Sequence, residues 1–537
     1  MAAAAHRGVP LLPPAAPAAL RRAAWVVLLW WCVAAVPASA RVPLVRIAWW
    51  QDVGFPTPFA FSTTGPGGVV RTTLLYDTLV WKNEQGLVPW LAEGYRVSPD
   101  GTTYVFRLRR GVRWHDGRPL TAHDVAFTFA YYRKHPFAWA DVGVVKQVEV
   151  RDRETVVVRL REPHAPFLEN VAGVAPIVPK HVWRWVDSPE RFQDLRAAVG
   201  SGPYRLVEYR PEAGQYRFVA WEGYFRGPPL VQEVRYVVVP LARQVLAVQS
   251  GEVDLAMTLA PEAAAAFRGH PYLRVLTTEP LSCGRLVFNL NHPLAGQKRF
   301  RQAVAHAVDV SGLAQLVTRG AGIPGNPGVV PPQDPYYTPR VRRYAHDPSR
   351  ARALLRELGY EDRDGDGWVE AADGSRLVVE VMTSAPRETE PVLQQLARVG
   401  VDARAMVVDP ATRAQLASEG RFTLLYTTHV GAGGDPDYLR TWFSGQEANR
   451  FAAGSALQHP EFLRLARQQA RETDPARRRK WVERLQQLLA EELPTLVLFY
   501  RPFFWIYDSR KFTPVSTRGG LLNGIPLVEN KLAFLAR

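Results

Sequence analysis

The chain has 537 residues, 47% of them apolar and 22% charged, which is too long for one hydrophobic core and too apolar for a disordered polymer. Its net charge of +15 raises nucleic acid or an anionic membrane as partner, but only eight of the 66 basic residues are Lys and the Arg are spread along the whole chain. The densest run, Arg477 to Lys480, opens an amphipathic helix without an aromatic platform, so the charge does not mark a nucleic-acid binder.

From the amino terminus, residues 1–40 hold no acid. Arg21 and Arg22 precede an apolar run from Ala23 to Val36, and Pro37-Ala38-Ser39-Ala40 ends it in a small-x-small pattern. This reads as an export signal cleaved after Ala40, with an uncleaved membrane anchor as the alternative. The apolar run is about fourteen residues, short of the roughly twenty that span a bilayer. Removing the three Arg of this leader lowers the charge from +15 to +12. Cys32 lies inside the leader after Leu29-Trp30-Trp31, bulky residues that fit a lipidation site poorly, which leaves Cys283 as the mature chain's one thiol. No internal disulfide, zinc motif or redox motif is expected.

Beyond Arg41, segments of period two alternate with segments of period 3.6. Tyr104–Leu108 and Thr155–Leu160 read as strands. Asp347-Pro348 starts a helix with a capping Asp and first-turn Pro, places Ala351, Leu354, Leu355 and Leu358 on one face, and stops at Gly359. Asp474-Pro475 does the same for a second helix, with Trp481, Leu485, Leu488 and Leu489 buried and Pro494 closing it. The segment from Gly320 to Pro339 reads as a long loop. Such a mixture over about 500 residues predicts α/β lobes.

The stretch from Leu87 to Arg133 is the most informative. It contains Leu91-Ala92-Glu93, Ser98-Pro99-Asp100-Gly101, Phe106-Arg107-Leu108-Arg109-Arg110-Gly111, His115-Asp116-Gly117 and Thr121-Ala122-x-Asp124-Val125. Pro99-Asp100-Gly101 and His115-Asp116-Gly117 are also turns on their own chemistry. Further along come Gly200-Ser201-Gly202-Pro203-Tyr204, Gly251-Glu252-Val253-Asp254, Phe288-Asn289-Leu290-Asn291, Arg301-Gln302-Ala303 and Asp435-Pro436-Asp437. In this order they resemble the extracellular solute-binding proteins that carry oligopeptides, dipeptides and nickel complexes (family 5), over roughly residues 45–528.

The resemblance implies an α/β, two-lobed periplasmic-binding-protein-like fold with a hinge and an extra subdomain in lobe I. By analogy lobe I comprises 41–75, 199–275 and 495–537, its subdomain 76–198, and lobe II 276–494. It implies a monomeric, non-enzymatic carrier that closes on a peptide or other small polar ligand and delivers it to the permease subunits of an ABC importer. In peptide-binding members an Asp just before the Asp-Pro-Asp turn pairs with the ligand's amino group. That position here is Ala432, and the aromatic residue three places earlier is His429. Asp435 or Asp437 are the substitutes at hand.

Other ligand-contact candidates are Arg387, which offers a fork for a carboxylate, and Trp49, Trp50 and Phe55 after the first mature strand, equally credible as core. His429 suits a nickel or metal-chelate carrier. Asp362, Asp364, Asp366, Trp368, Glu370 and Asp373 have the spacing of a structural calcium loop. Its flanks are helix and strand, however, and the loop resembles an acidic hairpin of the family that needs no metal. No other cofactor is expected.

Enzyme motifs fail in context. Gly320-x-Gly322-x-x-Gly325 matches a dinucleotide fingerprint, but it follows a helix and runs into Pro327. There is no P-loop, no paired metal histidines and no nucleophile elbow. An exported hydrolase or a ligand-sensing receptor subunit on the same scaffold stays open as a reading from another class.

Overall fold

The computed structural model describes residues 41–61, 65–444 and 452–535. The segment read as a leader, with its expected cleavage after Ala40 and Cys32, lies outside them. No helix among the described residues is long and apolar enough to cross a membrane.

Two large sheets organise the chain. The first runs Leu273–Thr277, Phe504–Asp508, Leu255–Thr258, Val45–Trp49, Glu233–Val238, Gln215–Ala220, Tyr204–Arg210. The second runs Ile323–Pro324, Thr495–Arg501, Ser282–Phe288, Leu424–His429, Val378–Thr383, Asp402–Val407. Both are mixed. Val45–Trp49 lies parallel to its two neighbours, and Val378–Thr383 parallel to both of its own. Such sheets present the carboxyl ends of their parallel strands to ligands.

A four-stranded antiparallel sheet, Ala92–Val97, Thr103–Leu108, Thr155–Leu160 and Val145–Val150, occupies the segment read as a subdomain. Its buried side, with Phe106, Val156 and Val158, shares one apolar core with the first large sheet. The second sheet has separate cores around Phe288, Leu354 and Leu396 on one face and around Cys283, Trp442 and Val482 on the other.

Two chain segments cross between the large sheets. One is Thr278–Leu281 and the other Pro502–Phe503, tied together by Thr278 N donating to Phe503 O (3.0 Å) and Phe503 N to Thr278 Oγ1 (2.9 Å). The expected lobe limit at residue 495 therefore moves. Thr495–Arg501 pairs with Ser282–Phe288 in the second sheet, and only Phe504 onward joins the first. The apolar run after Pro494 is long enough to serve both sheets, and Pro502 interrupts it.

Local chemistry explains the elements. Asp347 and Asp474 accept from Arg350 N (2.9 Å) and Arg477 N (2.8 Å), capping helices Pro348–Glu357 and Pro475–Glu492. Thr121 and Asp124 form a capping box at helix Ala122–Lys134, and Asp124 also accepts from Lys180 N (3.0 Å). His115 clasps the distant glycine turn: Nδ1 accepts from Gly200 N (3.1 Å) and Nε2 lies 3.0 Å from Gly202 O. The nucleotide-like glycines serve packing, since a Cβ on Gly325 would stand 1.9 Å from Val497 O.

Candidate functional site

The hinge-side edge of the second sheet gathers Ser282 at the start of its strand, Thr427 and His429 at the end of theirs, and Arg501 at the end of another. Facing it, the first sheet ends in Trp49 and Thr258. The halves touch at several points. Ala165 N donates to Ala470 O (2.7 Å), Arg471 pairs with Glu162, and Arg319 pairs with Glu262.

The glycine-rich segment after His429 is pressed against residues 519–525. A Cβ on Gly431 would meet Asn523 O at 2.6 Å, and one on Gly433 would lie 2.7 Å from Leu281. Val430 packs onto the core of the first lobe. Ala432 is fully buried among Cys283, Tyr438, Leu439 and Trp442, and its N–H donates to Leu281 O (2.8 Å). No side-chain anion stands there.

Neither neighbouring carboxylate is free to replace it. Asp435 holds Arg478 through two bonds of 2.6 and 2.5 Å. Asp437 accepts from Arg440 (2.8 and 2.6 Å) and from Gln469 Nε2 (2.7 Å). Burial by itself would raise the Asp437 carboxyl, yet Arg440 keeps it below the usual carboxylate range. Both brace the second lobe through these pairs, so neither stands as a free negative charge.

The remaining candidates separate clearly. Trp49 and Phe55 are core residues, with Trp49 packed over Gly67 and Phe55 edge-on to Tyr209 at 5.8 Å. Only Trp50 of the three keeps part of its surface exposed, stacked on Trp49 at 4.1 Å. Arg387 is exposed on the first turn of helix Pro386–Ala397 and makes no side-chain hydrogen bond or ion pair among the described residues. Its neighbour Glu388 turns inward instead, accepting from Arg501 Nη1 (2.6 Å) and Tyr426 OH (2.7 Å).

His429 is half-buried, its ring 3.8 Å from that of Trp442. Burial first and the charge of Arg285 second push its pKa well below 6.5, so the ring is neutral at neutral pH. Arg285 was not singled out from the sequence. It stands across the strand pair from Thr427, over the Trp442 ring at 4.8 Å.

In the acidic loop, Asp362, Asp364 and Glu370 bring carboxylate oxygens within 4.8 Å of one another. The expected set of six is not assembled. Asp366 binds Arg376 (2.5 Å) and Asp373 turns back to Ser375 N (2.9 Å). Asp362, Asp364 and Asp366 also accept from main-chain N–H groups of the loop itself, at 2.7 to 3.1 Å. Trp368 lies under the Arg376 guanidinium at 5.3 Å. The residues hold a hairpin turn, as their types alone allow. Two depressions of about 380 and 690 Å³ are present, one around Arg107 and Arg109 on the small sheet and one around Phe267 and His270 that reaches Thr277 and Phe504 at the ends of their strands in the first sheet.

Two mixed sheets joined by paired crossovers define the class of two-lobed binding proteins. Residues 86–450 match the model of the bacterial extracellular solute-binding proteins, family 5, and the chain belongs to that family. Its members are binding proteins of ABC transporters and not enzymes, and they act outside the cytoplasm with permease subunits. The dipeptide-binding protein of Escherichia coli (strain K12) is 27% identical over 446 residues, 78% of this chain and 82% of that one. Heme-binding protein A of Haemophilus influenzae is 26% identical over 476 residues, 83% of each. Among solved structures, NikZ from Campylobacter jejuni in complex with Ni(L-His) superposes with a TM-score of 0.79 at 19% identity, covering 92% of this chain and 99% of that one.

Proposed function

We propose that this chain, exported and cleaved after Ala40, acts as a monomer that captures a small solute between its lobes without relying on the solute's free α-amino group. The observation that carries this is Ala432, buried among apolar side chains, beside two carboxylates already consumed by Arg478 and Arg440. A buried ammonium without a carboxylate partner is disfavoured by several kcal/mol, on the order of what separates binding from none. The relatives' names span dipeptides and heme, so the family scaffold itself tolerates chemically different guests.

Thermal stabilisation of the mature protein tests this. A panel of dipeptides offered with free and with N-acetylated amino termini is expected to show no preference for the free amine, or a preference for the capped form. A ligand bound a hundredfold better with its amine free than capped sinks the reading.

A second reading has its own support. The neutral His429 ring beside Trp442 suits a metal chelate, because only an unprotonated imidazole ligates. Native mass spectrometry of gently purified protein is expected to show bound metal or chelator under this reading. Protein free of both argues against it.

A further inference from the structure

Arg285 lies on a strand, Ser282–Phe288, in which every residue is buried, and is itself only 8% exposed. Among the described residues it makes no ion pair and no hydrogen bond, and its Nε is buried without a partner. Among the described residues what compensates it is the face of Trp442. A second guanidinium reaches the same strand pair. Arg413, on helix Pro410–Ser418, donates Nη1 to Thr427 Oγ1 (2.9 Å) and has no carboxylate partner among the described residues either. Burial lowers the pKa of both.

These groups converge. Thr427 is the cross-strand partner of Arg285, and cross-strand partners share a face. His429, two residues on, points to the same face and meets the same Trp442 ring. Thr427 and His429 both keep exposed surface at the strand's hinge-side end, so the cluster is reachable. Two desolvated cations, a hydroxyl and a neutral imidazole with no anion among them form half of an ion pair. An aromatic face offsets only part of what burying such a charge loses.

We propose that Arg285 and Arg413, with Thr427 and His429 against Trp442, form an oxyanion subsite that holds a carboxylate or phosphate group of the solute. It rests on the reading of the hinge-side edge as a solute site and adds the sign of the solute's charge. Arg forks suit planar and tetrahedral oxyanions through paired N–H donors.

The test is saturable thermal stabilisation of the mature protein by inorganic phosphate, by citrate and by N-acetyl-dialanine, at constant ionic strength set with chloride. Dialanine amide serves as the cationic control. At least one anion is expected to stabilise the protein, phosphate pointing to a phosphate guest and the other two to a carboxylate. Arg285→Gln and, separately, Arg413→Gln are expected to weaken that binding at least tenfold, and Arg285→Lys to restore part of it. Ligand-free Arg285→Gln is expected to melt no lower than the parent, which a purely structural arginine would not allow. Equal anion binding by parent and both variants overturns the subsite, as does the absence of saturable binding of any of the three anions. Stabilisation by dialanine amide alone overturns it too, while leaving solute capture intact. Should Arg285→Gln fail to fold, that fails the ligand-free expectation, and Arg413→Gln decides whether an anion site exists at all.

Discussion

Lys531 in the first lobe is 0% exposed and Arg285 in the second 8%, yet their surroundings differ in kind. Lys531 donates to Asp77 (2.5 Å), beneath the faces of Trp81 and Trp90. Asp77 in turn accepts from Trp90 Nε1 (2.6 Å), Tyr224 OH (3.1 Å) and Ser201 Oγ (3.1 Å). That network is closed: a buried charge with an opposite charge and both carboxylate oxygens engaged. Among the described residues Arg285 has an aromatic face, Trp442, and no hydrogen bond or ion pair. The closed network fastens the carboxyl-terminal segment to the first lobe. The open one is a vacancy for charge, and a binding protein has use for such a vacancy only near its guest.

Breaking the closed network should produce the largest effect. Lys531→Met leaves Asp77 buried without its cation and is expected to lower unfolding free energy by about 3–5 kcal/mol, read by urea denaturation. Adding Asp77→Asn to it should recover part of the loss, because the stranded charge is then gone. If Lys531→Met costs no more than a surface substitution, the contrast with Arg285 fails.

The Asp435–Arg478 brace comes next. Asp435→Ala is expected to cost about 3 kcal/mol, since Arg478 is left buried with Gln469 as its one hydrogen-bond partner among the described residues. Ligand affinity should stay within a few-fold. A selective loss of affinity without loss of stability would return Asp435 to the binding site.

Glu529 sharpens the comparison by pH. Burial lifts its pKa to about 8 against an ordinary 4.5, with Arg71 opposing the rise, and neither carboxylate oxygen has a hydrogen-bond partner. The folded state therefore holds a proton that the unfolded chain releases. The stabilisation linked to that proton is complete below about pH 4.5 and is lost as pH rises through 8. Between those values the parent should lose up to about 1.4 kcal/mol per pH unit relative to Glu529→Gln, which cannot ionise. Parallel stability–pH curves for the two proteins would show Glu529 charged throughout.

The smallest effect should come from the exposed Glu162–Arg471 pair between the halves. Glu162→Ala is expected to change stability by less than about 1 kcal/mol. It should still move the open–closed balance toward open, seen as a larger radius of gyration in X-ray scattering without ligand.

Much of the fold was legible because local chemistry enforces it. Asp-Pro pairs start helices where the following residues are periodic: the two read at Asp347 and Asp474 form, and Asp409-Pro410 starts a third. The motifs behind the family resemblance turn out to be joints: His115 clasps Gly200 and Gly202, and Asp124 caps its helix while holding Lys180. The site was less legible. Trp49, Trp50 and Phe55 share one sequence neighbourhood, and only packing sends two of them into the core. Arg387 and Glu388 are adjacent on a helix, whose turn decides that the acid and not the base faces the sheet. Arg285 did leave a signal, a lone charge inside Ser-Cys-Gly-Arg-Leu-Val-Phe.

The order of residues alone determined the alternation of strands and helices, their caps and turns, and the missing acid at position 432, all properties of chemistry within a few residues. Only the tertiary structure decided that Asp435 and Asp437 are occupied, that the strand after Pro494 belongs to the second sheet, and that Arg413 reaches Thr427, the cross-strand partner of Arg285. Those outcomes depend on which distant groups arrive to neutralise a charge or pair an edge, and chain order does not specify arrival.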